Sequence, residues 1–94
     1  MTRIELVFFS GCPNVEAARL NLRAACAALG LPPSWTEWDL LEDGVPTRMH
    51  TLGSPTVLLD GKDITGVAPA GALACRSAGA PSVEQITAAL GSRV

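Results

Sequence analysis

An apolar segment that runs directly into a helical pattern most constrains the fold of this chain. Residues 3–9, RIELVFF, are rich in side chains that favour β-structure and predict a buried strand. A Ser-Gly pair interrupts this run, and residues 14–30 then show the spacing of an amphipathic helix. Residues 34–41, SWTEWDLL, predict a second strand, with Trp35 and Trp38 on opposite faces of the sheet. In this order the two strands pair in parallel through a right-handed crossover.

The predicted helix has a start signal, an end signal and one apolar face. Pro13 is suited to its first position, where the missing N–H costs nothing. Gly30 is expected to cap its C-terminal end, and the two prolines that follow prevent its continuation. The buried face is predicted to contain Val15, Ala18, Leu22, Cys26 and Leu29.

The second half of the chain predicts a β-hairpin followed by a helix. Residues 56–59 form an apolar run that meets an Asp-Gly dipeptide at 60–61, which favours a two-residue hairpin turn. Residues 62–65 then return as the next strand. At the start of the last predicted helix, Ser82 and Gln85 complete a capping-box pattern.

The complete predicted order is βαβ(α)ββα, an α/β fold with a mixed four-stranded sheet flanked by helices. Residues 42–53 have room for one or two helical turns, and residues 66–80, rich in Gly, Ala and Pro, predict an irregular loop. The chain has 94 residues, enough for one compact domain, residues 1–94, and no linker divides them.

Charge and hydropathy argue against several classes of partner. The net charge of −2 gives no reason to expect a nucleic acid or an anionic membrane surface as partner. No apolar stretch approaches the roughly 20 residues of a membrane helix, and no secretory signal is visible, so a cytoplasmic protein is expected. Three widely spaced cysteines do not form the disulfide framework of a small secreted protein. They are expected to be buried apolar residues, reactive thiols or metal ligands.

Cys12 stands between the first predicted strand and the predicted helix. The N–H groups and dipole of a helix N-terminus favour a thiolate, which is both a nucleophile and a ligand for soft metals. A second cysteine three residues later would make the Cys-x-x-Cys motif of dithiol proteins, but Val15 stands there and is expected to pack against the sheet. Cys12 is thus the candidate reactive residue, and a local dithiol mechanism is excluded.

Three features together resemble the thioredoxin fold over nearly the whole chain. They are Gly11-Cys12-Pro13 at a strand-to-helix junction, Ser54-Pro55-Thr56 before a strand, and the Asp-Gly hairpin. The resemblance implies that Pro55 is cis and packs beside Cys12, with Gly11 and Pro13 also on the substrate-binding surface. It further implies that a substrate chain pairs with the backbone beside Ser54 and Thr56. More narrowly, the chain is similar to small bacterial thioredoxin-like proteins, some of which carry labels that connect them with mercury resistance or alkylmercury lyase.

Cys75 is a candidate distant partner for Cys12. Strands 1 and 4 are predicted to run in one direction and strand 3 against both, so Cys12, Pro55 and the loop from Gly66 share one rim of the sheet. Cys75 lies in that loop, next to Arg76, whose charge favours a thiolate. A disulfide requires the two Cα atoms to lie within about 7 Å, and the sequence leaves open whether they do.

Two further residues have both a structural and a functional interpretation. Cys26 lies on the apolar face of the helix and is expected in the core, where unpaired cysteines are commonly found. His50, the one histidine of the sequence, could assist Cys12 as a base or ligand, or could be a solvated side chain.

These residues support two hypotheses of different classes. In the first, Cys12 is the nucleophile of a thiol–disulfide oxidoreductase or redox sensor, and glutathione or Cys75 releases its partner, a protein or low-molecular-weight disulfide. In the second, Cys12 and Cys75 bind a thiophilic metal such as Hg(II) or Cu(I) without catalysis, as in a heavy-metal response. A thioredoxin-like interaction module without chemistry is a third possibility. No cofactor is required in any of them.

Overall fold

The computed structural model describes residues 3–47, 54–64 and 80–92. These residues form a mixed four-stranded sheet and two helices, which confirms the α/β class. The elements in chain order are β1 Ile4–Phe8, α1 Val15–Ala28, β2 Thr36–Asp39, β3 Thr56–Leu59, β4 Lys62–Asp63 and α2 Val83–Gly91. Of the segment 42–53, where helical turns are predicted, residues 42–47 are described and contain no α-helix, and residues 48–53 lie outside the described residues. Residues 66–79 of the predicted loop also lie outside them.

The sheet has the order β2-β1-β3-β4, with β1 in its interior. β1 pairs in parallel with β2, placing Phe8 beside Asp39, and pairs antiparallel with β3, placing Val7 beside Thr56. β3 and β4 are antiparallel neighbours. The predicted strand directions are therefore confirmed. They bring the end of β1, the end of β2 and the start of β3 to one rim of the sheet.

The hairpin between β3 and β4 follows from its dipeptide. Asp60 and Gly61 have φ angles of 51° and 83°, the left-handed region that a two-residue turn of this kind requires and that Asp-Gly adopts readily. The Asp60 N–H donates to the Arg3 carbonyl (2.9 Å), and the Arg3 N–H donates to the Asp60 carboxylate (2.8 Å). These bonds fix the hairpin to the first residues of the sheet, at the end opposite to Cys12.

Helix α1 begins two residues later than predicted. Its N-cap is Asn14, so Pro13 precedes the helix instead of opening it. The Cys12 N–H donates to the Phe9 carbonyl (3.2 Å), and the Val15 N–H donates to the Cys12 carbonyl (3.4 Å). A turn from Cys12 to Val15 thus occupies the positions given to the first helical turn.

The end of α1 agrees with the sequence. Gly30 has a φ of 69°, its N–H donates to the Ala27 carbonyl (3.1 Å), and the Leu31 N–H donates to the Cys26 carbonyl (2.8 Å). This pair of bonds is the Schellman arrangement, in which glycine avoids the steric cost of the left-handed conformation. The prediction that Gly30 terminates the helix is confirmed.

Two apolar clusters cover the two faces of the sheet. Both helices pack into the first cluster, and the second lies on the other face around Val7 and Leu58. Trp35 packs against the first and Trp38 against the second, which confirms their predicted opposite orientation. The buried members of the first cluster are Leu6, Phe8, Cys12, Val15, Ala18, Leu22, Ala25, Cys26, Val57, Leu59, Ile86 and Leu90.

A fully buried carboxylate lies on the second face. Glu5 is 0% exposed, and its Oε2 accepts hydrogen bonds from the Trp38 indole nitrogen (2.7 Å) and the Arg3 guanidinium (3.2 Å). Such donors offset the cost of burying a charged group. The hydrogen bond from Trp38 to Glu5 joins β2 to β1 through their side chains, in addition to the backbone pairing of the two strands.

Helix α2 has the predicted capping box. The Ser82 hydroxyl accepts from the Gln85 N–H (3.0 Å), and the Gln85 side chain accepts from the Ser82 N–H (2.9 Å). The Asn21 amide also donates to the Pro81 carbonyl (2.8 Å), which joins α1 to the start of α2. Within the described ranges, no helix has the length and apolar character needed to cross a membrane.

Candidate functional site

Cys12 lies in the turn between β1 and α1. Gly11, which precedes it, has a φ of 93°, a conformation that side-chain-bearing residues rarely adopt. The Cys12 thiol donates a hydrogen bond to the backbone carbonyl of Ser54, with Sγ 3.8 Å from the oxygen. The residue is 7% exposed and belongs to the first apolar cluster. The turn therefore directs the thiol across the rim of the sheet towards the segment before β3.

The segment from Ser54 to Thr56 forms the other side of this contact. The Ser54–Pro55 peptide bond is cis, as the resemblance to the thioredoxin fold implies. The Ser54 hydroxyl accepts from the Phe9 N–H (3.4 Å), so Ser54 binds the β1–α1 junction through both its carbonyl and its side chain. Ser54 and Thr56 are both fully buried, and the predicted pairing with a substrate chain requires this segment to be uncovered.

A cavity of about 300 Å³ opens beside Cys12. This volume lies at the lower end of the range for small-molecule sites. Gly11 and Pro13 are exposed at this cavity, as expected for residues that border a bound molecule. Its lining consists of Phe8, Phe9, Ser10, Gly11, Cys12, Pro13, Val15, Glu16 and Arg19.

Arg19 forms one wall of this cavity and is held by carboxylates. Its Nε and Nη2 donate to Glu37 at 3.0 and 2.9 Å, and its Nη1 lies 3.6 Å from Glu16. The guanidinium also lies over the Phe8 ring, 5.2 Å from its centroid. The hydrogen bond from Arg19 lowers the pKa of Glu37, and the bond to Glu37 raises the pKa of Arg19. The positive charge of Arg19 is thus balanced by the carboxylates of Glu37 and Glu16.

Asp39 binds the turn from the side of β2. Its carboxylate accepts hydrogen bonds from the Ser10 hydroxyl, from the Ser10 N–H (3.3 Å) and from the Leu41 N–H (3.0 Å). The Ser10 hydroxyl, followed by the Leu41 N–H, lowers the pKa of Asp39. Neither Asp39 nor Arg19 was predicted from the sequence to belong to the site. The available signal was an acidic residue at the end of a strand parallel to β1.

A second cavity, of about 350 Å³, lies on the β2 side of Phe8. Phe8 lines both cavities. The second cavity is rich in carboxylates, and its lining consists of Phe8, Glu37, Trp38, Asp39, Glu42, Asp43 and Val45.

Cys26 and Val15 occupy the positions predicted for them. Cys26 is 0% exposed within the first cluster, and burial raises the pKa of its thiol. Val15 is buried in the same cluster, at the position where a Cys-x-x-Cys protein would carry its second thiol. Cys26 is therefore a core residue, as predicted.

The other predicted site residues lie outside the described residues. These are Cys75, with Arg76 and Gly66 in the same predicted loop, and His50. A Cys12–Cys75 pair, in a disulfide or around a metal, and a role for His50 thus stay predictions. Within residues 3–47, 54–64 and 80–92, no group of three or more His, Cys, Asp or Glu side chains is arranged to hold a metal ion.

Comparisons of the chain with protein-family models, with curated proteins and with solved structures each find no match. The chemistry of the site is consequently inferred from its own residues and geometry.

Proposed function

We propose that the chain is a thioredoxin-like thiol protein that exchanges disulfides through Cys12. The observation that carries this proposal is the placement of the Cys12 thiol, which lines a cavity and contacts the carbonyl of Ser54 across the rim of the sheet. A mixed sheet of order β2-β1-β3-β4, with Cys12 after its interior strand, supports the thioredoxin-like topology.

The first chemical step is attack on a disulfide. The thiol of Cys12 loses its proton to solvent, and the thiolate attacks one sulfur of a substrate R–S–S–R′. The substrate S–S bond breaks as the Cys12–S–S–R bond forms. The second sulfur leaves as R′–S⁻ with the electron pair of the broken bond, so no further oxidant is needed.

The second step releases Cys12 from the mixed disulfide. When the attacking thiolate is that of glutathione, it attacks the R sulfur, the Cys12 thiolate leaves, and a glutathione–S–S–R disulfide forms. When it is that of Cys75, it attacks the Cys12 sulfur, R–S⁻ leaves, and a Cys12–Cys75 disulfide forms, which two glutathione thiols then reduce. Val15 is packed in the core at the position of a local resolving thiol, so this thiolate must come from elsewhere. Glutathione, or Cys75 of the following loop, supplies it in this proposal.

Turnover of a glutathione mixed disulfide tests the reaction. We expect the Cys12→Ser variant to lose turnover completely, because oxygen does not replace the nucleophilic sulfur. The Cys26→Ala variant is the matched control, since it removes a thiol of the core and should keep the activity of the wild type. A wild-type protein with no turnover above that of an equal concentration of a small thiol would contradict the proposal.

The identity of the resolving thiol is tested by a redox titration. The protein is equilibrated at a series of potentials, alkylated, and mapped by mass spectrometry. A Cys12–Cys75 disulfide that forms at one defined potential would assign resolution to Cys75. A glutathione adduct on Cys12 at every oxidising potential, with Cys75 alkylated, would assign it to glutathione.

A further inference from the structure

The carboxylate at the end of β2 is bonded to the turn that carries Cys12. Asp39 accepts two hydrogen bonds from Ser10, one from the hydroxyl and one from the backbone N–H (3.3 Å). A third bond, from the Leu41 N–H (3.0 Å), fixes the carboxylate to its own strand end. Asp39 thus connects β2 to the residue two positions before Cys12.

The position of this turn depends on such bonds because its outer side is exposed. Ser10 and Gly11 are exposed, so packing constrains them weakly. On the inner side, the Phe9 N–H donates to the Ser54 hydroxyl (3.4 Å), and Cys12 contacts the Ser54 carbonyl. The turn is therefore held between Asp39 on one side and Ser54 on the other.

We propose that Asp39 is a positioning residue for Cys12, acting through Ser10 to hold the thiol at its cavity. This inference rests on the proposed reaction at Cys12 and adds a residue that does not itself line the cavity of Cys12. A carboxylate suits the role because hydrogen bonds to an ionised acceptor are stronger than those between neutral groups. The hydrogen bond from the Ser10 hydroxyl also lowers the pKa of this carboxylate.

A second explanation of any effect of Asp39 is its negative charge alone. Asp43 lines the same second cavity as Asp39 and carries the same charge, so it is the matched control for that explanation. Ser10→Ala is charge-neutral and removes one bond of the anchor. Asp39→Ala removes the acceptor, whereas Asp39→Asn removes the charge and keeps an oxygen that can accept from Ser10.

The test measures the rate of alkylation of Cys12 against pH, with the modified peptide quantified by mass spectrometry, beside kcat/KM for the mixed disulfide. We expect Asp39→Ala and Ser10→Ala to lower both rate constants about tenfold or more and to shift the midpoint of the alkylation profile, since small displacements of a reacting group are costly. Ser10→Thr should recover most of the loss, and Asp39→Asn only part of it, because its amide keeps one neutral acceptor oxygen. Asp43→Ala should remain within about twofold of the wild type, as expected of a distant solvated charge.

Two results would overturn the proposal. One is a wild-type alkylation profile in both Asp39→Ala and Ser10→Ala. The other is an equal shift in Asp39→Ala, Asp39→Asn and Asp43→Ala with no effect of Ser10→Ala, which would assign the effect to charge. Failure of the proposed reaction looks different: the wild type would turn over no disulfide, while the alkylation of Cys12 would still depend on Ser10 and Asp39.

Discussion

The turn that carries Cys12 and the helix face that carries Cys26 place two buried cysteines in different chemical settings. Their exposures are 7% and 0%, so burial hardly separates them. Cys12 lines a cavity and contacts a backbone carbonyl from another part of the chain. Cys26 lies among the apolar side chains of the core, where burial raises the pKa of its thiol. The surroundings, more than the exposed fraction, determine which thiol a reagent can reach.

The largest expected effect is a difference in alkylation between these two cysteines. Under native conditions we expect Cys12 to react at least about a thousandfold faster than Cys26, because modification of Cys26 requires an opening of the core close to global unfolding. Time-resolved alkylation with peptide mapping measures both rates in one sample, and the unfolded chain in denaturant is the control. Similar alkylation rates of Cys12 and Cys26 in the native protein would contradict the expected difference in accessibility between the two cysteines.

Truncation of a core residue beside Cys26 should lower the free energy of unfolding more than truncation of an exposed residue on the same helix. Leu22 is fully buried on the same face of α1, so Leu22→Ala is expected to lower the free energy of unfolding by about 2–5 kcal/mol. Leu20→Ala is the control, since Leu20 is 58% exposed on the same helix. Denaturant unfolding measures both variants, and alkylation of Cys26 should accelerate only in the first. Equal losses in the two variants would contradict the assigned core face.

Features that depend on neighbouring residues in the chain could be predicted from the sequence. The Asp60–Gly61 turn, the end of α1 at Gly30 and the capping box of α2 each require only a short stretch of chain, and all three are confirmed. The opposite orientation of Trp35 and Trp38 follows from the alternation of side chains along a strand. In these cases the residue type and the local backbone geometry determine the outcome.

The walls and supports of the candidate site could not be predicted in this way. The contact between Ser10 and Asp39 joins residues 29 positions apart, and the contact between Arg19 and Glu37 joins residues 18 apart. Both depend on the register of β1 against β2, which a single sequence does not specify where alternation is imperfect. The start of α1 was predicted too early because the turn at Cys12 replaces the first helical turn.

The capping box of α2 should contribute to the stability around Cys26, since α2 packs on α1. Removal of the cap in Ser82→Ala is expected to cost about 1 kcal/mol in the free energy of unfolding. Ser92→Ala, at the other end of the same helix, removes an exposed bond to the Ala89 carbonyl and should cost less. Denaturant titration measures the free energy of unfolding of both variants. A larger loss in Ser92→Ala would show that the N-terminal cap stabilises the protein less than the bond from Ser92 does.

The smallest effect is expected in the wall of the Cys12 cavity. Glu37→Gln breaks the ion pair with Arg19, and such partly exposed pairs contribute about 0.2–1 kcal/mol. Because Arg19 lowers the pKa of Glu37 in the folded chain, the unfolded chain binds more protons as the pH falls. The contribution is therefore complete above the ordinary carboxyl pKa of 4.5 and is lost as the pH falls through the lowered folded value.

The difference in unfolding free energy between the wild type and Glu37→Gln should thus shrink on acidification from pH 7 to pH 3. Glu42→Gln is the control, because Glu42 lines the second cavity without a bond to Arg19. A difference that stays constant with pH would mean that the substitution acts through packing and not through the ion pair. In that case the position of Arg19 over Phe8 would have to be attributed to Glu16 and to the aromatic ring.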